Sequence, residues 1–439
     1  MEFYWFIVFI FMAKDKITNL LKGKVINPVS GKKIQIPIEE IIIESGILNR
    51  IPDFCKAHAL GKKVAIVSDE HTHIAAGAEV ERVLSLAGFE VFSIVMGDDV
   101  RADDANVKML AQYVAAADFS VAVGSGTISD LTKYSTFLQN KKYICVPTAP
   151  SVNGYSSANA SIDIEGVKKS LAAHLPLAIF MDIDIQVEAP YRLIISGLGD
   201  SIARTTAQAD WLLSHHILGT EYNPLPFELL EEDEKIVLAN PEKLLERDYD
   251  SIMALCRLSI LSGLGMYICG SSYPASQGEH LIHHYMEMSF EDKYTRTFHG
   301  EQIAVTSITM SKLQSDLLKI DNLQINPTYY NEKPIMKHFG EEKGKKFLEE
   351  VAKKEITEKR ATEINKTLKT NWNKIRAEIL AIHISPDSLE AIIKKVKGPY
   401  TYKHLGWDYK DYETAIRNSL FMRDRFTFLD LAMIAKREL

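Results

Sequence analysis

The sequence is short of cysteine, of basic excess and of long apolar runs. Four cysteines occur in 439 residues, and Cys55, Cys145, Cys256 and Cys269 make no Cys-x-x-Cys pair. That argues against a zinc ribbon and a disulfide framework, and it fits reduced, mostly buried thiols in a cytoplasmic protein. Lysine and arginine number 51 against 58 aspartates and glutamates, a formal charge of -7. A nucleic-acid binder would show a basic face instead, so no nucleic-acid partner is expected. The apolar stretch at residues 1–12 falls short of the ~20 residues that a membrane span needs. It has no basic segment ahead of it and no small-residue cleavage site after it, so it fits a signal peptide poorly. It reads as an N-terminal extension ahead of an alternative start at Met12. A membrane-surface anchor and an addition to the fold's edge are the other readings. No internal repeat or low-complexity linker interrupts the chain.

The length points to two domains. Residues 13–187 alternate short apolar runs with helical periodicity. Strands are expected at 34–44, 63–68, 89–96, 118–123, 143–147 and 177–182, with helices at 47–60, 74–87 and 105–117. That alternation predicts a parallel sheet with helices on both faces. In residues 188–439 helical patterns dominate, at 201–218, 241–246, 251–267, 302–315 and 341–382. The last of these is dense in lysine and glutamate and reads as a solvated helical face. The expected architecture is an N-terminal α/β nucleotide-binding domain followed by an all-α domain.

Gly124, Ser125, Gly126 and Thr127 stand between an apolar run and a helix start. Backbone N–H groups in such a turn can cradle a diphosphate, helped by the helix dipole. The turn is not a strict Gly-x-Gly-x-x-Gly, and by itself it is only a tight turn. Asp130 and Lys133 lie one helical turn apart just beyond it. Thr148 and Ser151 follow the next strand, where open α/β sheets place ligands. Asp69 ends another strand and could meet a ribose.

Further on, Asp200, His280 and His299 are candidate metal ligands. One carboxylate and two imidazoles leave coordination positions open for substrate. Asp200 could equally be a helix N-cap, closing the segment Gly197–Asp200. His280 and His284 are i,i+4 and share a helix face, with His283 beside them.

The segments Gly124–Lys133, Val146–Ser151, Gly197–Asp200, Pro274–His280, His299–Gln302 and Arg423–Leu429 resemble, in order, the sn-glycerol-1-phosphate dehydrogenase family. That family belongs to the superfamily of iron-containing alcohol dehydrogenases, glycerol dehydrogenases and dehydroquinate synthases. The resemblance implies a Rossmann-like N-terminal domain and a helical metal-binding domain, in the dehydroquinate synthase-like arrangement. It implies one divalent metal on Asp200, His280 and His299, with zinc first and nickel or iron as alternatives. It implies NAD or NADP on Gly124, Ser125, Gly126 and Thr127, with Asp130, Lys133, Thr148 and Ser151 nearby. His284 matches a histidine placed near substrate and nicotinamide, whereas His283 matches nothing and reads as structural. The implied reaction is NAD(P)H-linked reduction of dihydroxyacetone phosphate to sn-glycerol 1-phosphate, with the metal polarising the ketone. A homo-oligomer without a stable membrane span is expected.

The pattern departs from the family at the substrate end. Asn153 stands where the family usually has an aspartate near the substrate hydroxyls, and an amide donates as well as accepts. Tyr273 stands where the family usually has an arginine, a natural phosphate partner. Residues 27–31 replace a cysteine-containing strand. These changes keep open a dehydrogenase for another small polyol or sugar phosphate. A dehydroquinate synthase-like cyclase and a non-catalytic nucleotide-binding homologue are the remaining alternatives.

Overall fold

The computed structural model describes residues 16–436 except 165, 166 and 331. The expectation for residues 1–12 lies outside the described residues. Packing divides the chain into two units: residues up to 201 together with 224–271, and residues 202–223 together with 272–439. The sequence reading cut the chain once, after residue 187, whereas packing interleaves the two parts.

The first unit is built on six parallel strands: β1 (Glu40–Glu44), β2 (Lys63–Asp69), β3 (Glu90–Met96), β4 (Phe119–Gly124), β5 (Lys142–Pro147) and β8 (Ala178–Asp182). Their order is β1-β8-β5-β4-β2-β3. The chain therefore runs outward from β2 to β3, then crosses to the other side of β2 for β4. Such a reversal opens a crevice at the strand C-terminal ends, and the glycine turn after β4 sits there. An antiparallel pair, β6 (Asn159–Ile164) and β7 (Val167–Ala172), was not foreseen from the sequence.

The central strands are buried on both faces, as βαβ crossovers require. Val64, Ile66, Val121, Val123, Ile144 and Val146 pack with Ile51, Phe54, Val80 and Leu84 on one face. Val67 packs with Val107, Leu110, Val114, Ile128, Leu131 and the hairpin's Ile162 on the other. The helices of this unit are α1 (Ile51–Ala57), α2 (Ala78–Leu86), α3 (Asp104–Ala115), α4 (Gly126–Leu138), α5 (Ile183–Glu188), the start of α6 (Tyr191–Leu218), α7 (Leu225–Ala239) and α8 (Tyr249–Cys269). Among the described residues only α8 is long and apolar enough to cross a membrane, and 67% of its apolar window is buried inside the protein.

The second unit holds the rest of α6 with α9 (Gly278–Phe290), α10 (His299–Leu318), α11 (Glu332–Phe339), α12 (Glu341–Ala352), α13 (Glu358–Ile382), α14 (Pro386–Lys395), α15 (Tyr409–Asn418) and α16 (Phe428–Ile434). Its core joins Leu213, Ile282, Tyr285, Val305, Leu368, Trp372 and Phe428. The charged helical run at 341–382 consists of two helices, α12 and α13. Between them Lys354 turns inward to pair with Asp430 at 2.7 Å, both side chains almost wholly buried. Thr357 then caps α13 by accepting from the Arg360 N–H.

Candidate functional site

In the first unit, β4 passes into α4 through Ser125 alone. Ser125 is the N-cap residue, but its side chain makes no cap hydrogen bond. The first N–H groups of α4, from Gly126 and Thr127 onward, therefore keep the positive end of the helix open to an anion. Asp130 and Lys133, expected beside that anion, are committed elsewhere. Asp130 accepts from the Ser161 N–H at 3.0 Å and from Lys133 at 3.0 Å. Lys133 is fully buried and also donates to the carbonyls of Gly154 (2.8 Å) and Asn159 (2.9 Å). An ammonium has three donors, so none is left for a phosphate, and this corrects the cofactor role expected of Lys133. Asp69 likewise caps the turn after β2, accepting from Thr72.

The loop after β5 is clamped against α6. A Cβ on Gly197 would collide with the Pro150 carbonyl, so only glycine permits this approach. Ser196 Oγ donates to the Ser151 carbonyl at 3.3 Å, and Ser151 meets the Tyr155 hydroxyl at 3.1 Å. Thr148 and Ser151 are both buried here. Asp200 lies inside α6, a helix that starts at Tyr191, so the N-cap reading does not hold. Its Oδ2 accepts from the Asn153 N–H at 3.1 Å. The Asn153 side-chain amide donates to Ser262 Oγ on α8 at 3.3 Å.

In the second unit α9 and α10 bring His280, His283, His284 and His299 together. The His280 and His299 ring centres are 5.2 Å apart, those of His283 and His299 4.6 Å. His280 Nδ1 lies 2.9 Å from Glu279 Oε1. A proton on Nδ1 donating to that carboxylate makes Nε2 the lone-pair nitrogen. Glu279 also accepts from Thr206 Oγ1 and the Gln277 N–H, and burial raises its pKa to about 7. Behind it Asp210 is raised to about 8 by burial and by the charge of Glu279, while accepting from the N–H groups of Gly278 and Phe428.

The other histidines form a relay. Gln302 Oε1, an acceptor, lies 2.9 Å from His283 Nδ1, and His283 Nε2 lies 2.9 Å from His299 Nδ1. His283 donates from Nδ1 to Gln302, and where its Nε2 accepts from His299 Nδ1, His299 Nε2 carries the lone pair. Glu287 Oε2 lies 3.2 Å from His283 Nε2 and 3.6 Å from His284 Nδ1. Burial holds His284 well below the ordinary imidazole pKa, against the pull of Glu287. Sequence reasoning missed Glu279, Gln302 and His283 as partners. Gln302 was legible: it follows His299 by three residues and so lies on the same helix face.

A family model described as iron-containing alcohol dehydrogenase matches residues 42–190. The NADH-dependent butanol dehydrogenase A of Thermotoga maritima superposes with a TM-score of 0.60 at 15% identity, over 92% of this chain and 93% of that one. A probable glycerol dehydrogenase from Sinorhizobium meliloti gives 0.56 at 16%, over 90% and 96%. The fold is therefore that of the iron-containing alcohol dehydrogenases, a parallel-sheet unit with a helical one. The glycerol-1-phosphate dehydrogenase [NAD(P)+] of Geobacillus stearothermophilus is 30% identical over 406 residues, 90% of this chain and 92% of the relative. The corresponding enzyme of Bacillus subtilis is 30% identical over 66% and 75%, and that of Methanoculleus marisnigri 32% over 68% and 80%. Within that fold class, the chain belongs to the glycerol-1-phosphate dehydrogenase family.

Proposed function

We propose that the protein reduces dihydroxyacetone phosphate to sn-glycerol 1-phosphate with NADH or NADPH and a divalent metal on Asp200, His280 and His299. The observation that carries the metal site is the pairing of His280 Nδ1 with the Glu279 carboxylate at 2.9 Å. Glu279 leaves His280 Nε2 as the lone-pair atom, and the Gln302–His283 pair offers His299 the same arrangement. Such carboxylate and amide partners are what metal-binding histidines use. Asp200 and His280 are buried and His299 partly so, which suits an oxygen–nitrogen donor set withdrawn from water. That set accepts zinc, nickel and iron, and zinc is the metal proposed.

When bound, the metal supplies Lewis-acid polarisation of the ketone oxygen. The rest falls to the chain. The uncapped start of α4, with Gly124 to Thr127, holds the cofactor diphosphate, and Thr148 and Ser151 shape the loop beside it. Lys133 and Asp130 keep that loop in place. Asn153 orients Asp200 through its N–H and faces the substrate hydroxyls. A bound nicotinamide would supply a hydride to the carbonyl carbon, and the carbonyl oxygen would take up one proton. His284, kept neutral by burial, hands on that proton from solvent without becoming a fixed cation. A cytoplasmic setting fits the four free cysteines, three of them buried. A homo-oligomer is part of the same reading.

Tyr273 favours one second reading, a different phosphorylated ketone or aldehyde. The test follows nicotinamide absorbance with dihydroxyacetone phosphate, with NADH and NADPH, on protein reconstituted in turn with Zn, Ni and Fe. Turnover to glycerol 1-phosphate supports the proposal. Protein with bound metal and cofactor but no turnover would shift the substrate to that second reading.

A further inference from the structure

Beside the ligands already assigned, α9 carries a second set of donor atoms. Glu287 follows His283 by four residues and His284 by three, so it lies one helical turn along from both. Its Oε2 is 3.2 Å from His283 Nε2 and 3.6 Å from His284 Nδ1. One ligand atom from each of the three falls within 4.8 Å of the others. An ion with bonds of ~2.0–2.2 Å to nitrogen and oxygen bridges the two shorter separations. His283 is buried, whereas the His284 and Glu287 side chains keep 23% and 21% exposure, so the set opens to solvent through those two.

The Gln302 amide sharpens this arrangement. Its Nε2 donates to the Thr297 carbonyl at 3.5 Å, which turns Oε1 toward His283 Nδ1 at 2.9 Å. His283 therefore donates from Nδ1 and presents a lone pair at Nε2. That lone pair faces a carboxylate oxygen of Glu287. Two acceptors 3.2 Å apart repel unless positive charge stands between them. The proton on His299 Nδ1, 2.9 Å from His283 Nε2, supplies part of that charge. A dication among the three side chains meets His283, His284 and Glu287 at once.

We propose that His283, His284 and Glu287 form a second divalent-cation site, weaker than the one on Asp200, His280 and His299, through which excess zinc inhibits the enzyme. Two imidazoles and one carboxylate favour zinc over magnesium or calcium, and water completes the coordination. The site is the weaker one because the His283 and His299 ring centres are 4.6 Å apart, so ions bound on the two sets repel each other. The second ion takes the His283 lone pair that otherwise meets His299 Nδ1, and it withdraws His284 from proton transfer. The site stands on the geometry of α9 alone; the inhibition rests on the function proposed above.

The experiment loads the full-length wild type and E287Q with one equivalent of zinc and dialyses each against rising free zinc. Bound zinc is counted by mass spectrometry, and NADH oxidation with dihydroxyacetone phosphate is followed on the same samples. The wild type should take up a second zinc as its turnover falls. E287Q should need about ten-fold more zinc for both effects, with E287D in between. E287D also serves as the test if E287Q does not fold. Magnesium over the same range should leave turnover unchanged; equal inhibition by magnesium overturns the proposed zinc site. One zinc per chain throughout overturns it too, as does a second zinc that E287Q holds as tightly as wild type, which places that ion elsewhere on the surface. A second zinc that leaves turnover unchanged, or raises it, overturns the inhibition. If zinc-loaded wild type turns over no dihydroxyacetone phosphate, the proposed function fails, and the zinc counts alone decide the site.

Discussion

His283 shows how much one side chain can set. It is fully buried, between Gln302 and His299. Losing an outer partner of this kind typically weakens metal binding about ten- to hundred-fold. H283A should therefore release zinc to a competing chelator at a correspondingly lower chelator concentration. H283Q, whose amide oxygen can still accept from His299 Nδ1, should recover part of the affinity. Metal affinity equal to wild type in H283A would end the relay. The sequence named His283 but could not assign it, because its role depends on α10 lying against α9, a contact between residues 16 positions apart. The alternative reading of Asp200 as an N-cap failed for a different reason. The two glycines of Gly197–Asp200 signal a turn, whereas Gly197 serves the close approach of the Pro150 carbonyl to an unbroken helix.

At the scale of elements, α4 is held to the loop after β5 by Lys133. K133M keeps the stem and removes the ammonium, leaving a carboxylate and two carbonyls short of a donor. Breaking a buried charged arrangement of this sort costs ~2–4 kcal/mol, read as a lower urea midpoint. The same variant should raise the KM for NADH, because the residues facing the cofactor lose their tether. A K133M protein matching wild type in both would make Lys133 dispensable. The parallel strands were legible because β2, β4 and β5 are short, apolar and followed by glycine, proline or a capping residue. The β6–β7 hairpin was overlooked: β6 does alternate polar and apolar residues at strand period, but β7 breaks that alternation and no strong turn dipeptide joins the two. Lys354 was hidden for another reason. It sits in a lysine- and glutamate-rich run that is mostly solvated, and only the tertiary fold reveals that it is buried against Asp430.

Over the whole molecule, each unit holds a half-buried histidine whose pKa burial lowers, and this contributes to its response to acid. His174 meets Thr136 Oγ1 at 3.0 Å and stacks on Tyr143, with its ring centre 5.3 Å from the tyrosine's. Burial lowers its pKa, and the Lys133 charge adds to the effect. His383 lies 3.2 Å from both Ser311 Oγ and the Ser311 carbonyl, and burial lowers its pKa too. In the unfolded chain both titrate near the ordinary imidazole value of 6.5. Between that value and the lower folded values the unfolded state binds more protons, so stability rises with pH across the window. The contribution is fully present above 6.5 and is lost as pH falls through the folded values. Metal ligands would add a proton linkage of their own, so the measurement belongs on chelator-treated protein. Urea midpoints taken between pH 7.5 and 5 should fall steadily for the wild type. In the double variant H174Q and H383Q they should fall less steeply, because two protonation sites are gone. An equally steep fall in that variant would place the acid sensitivity in other groups.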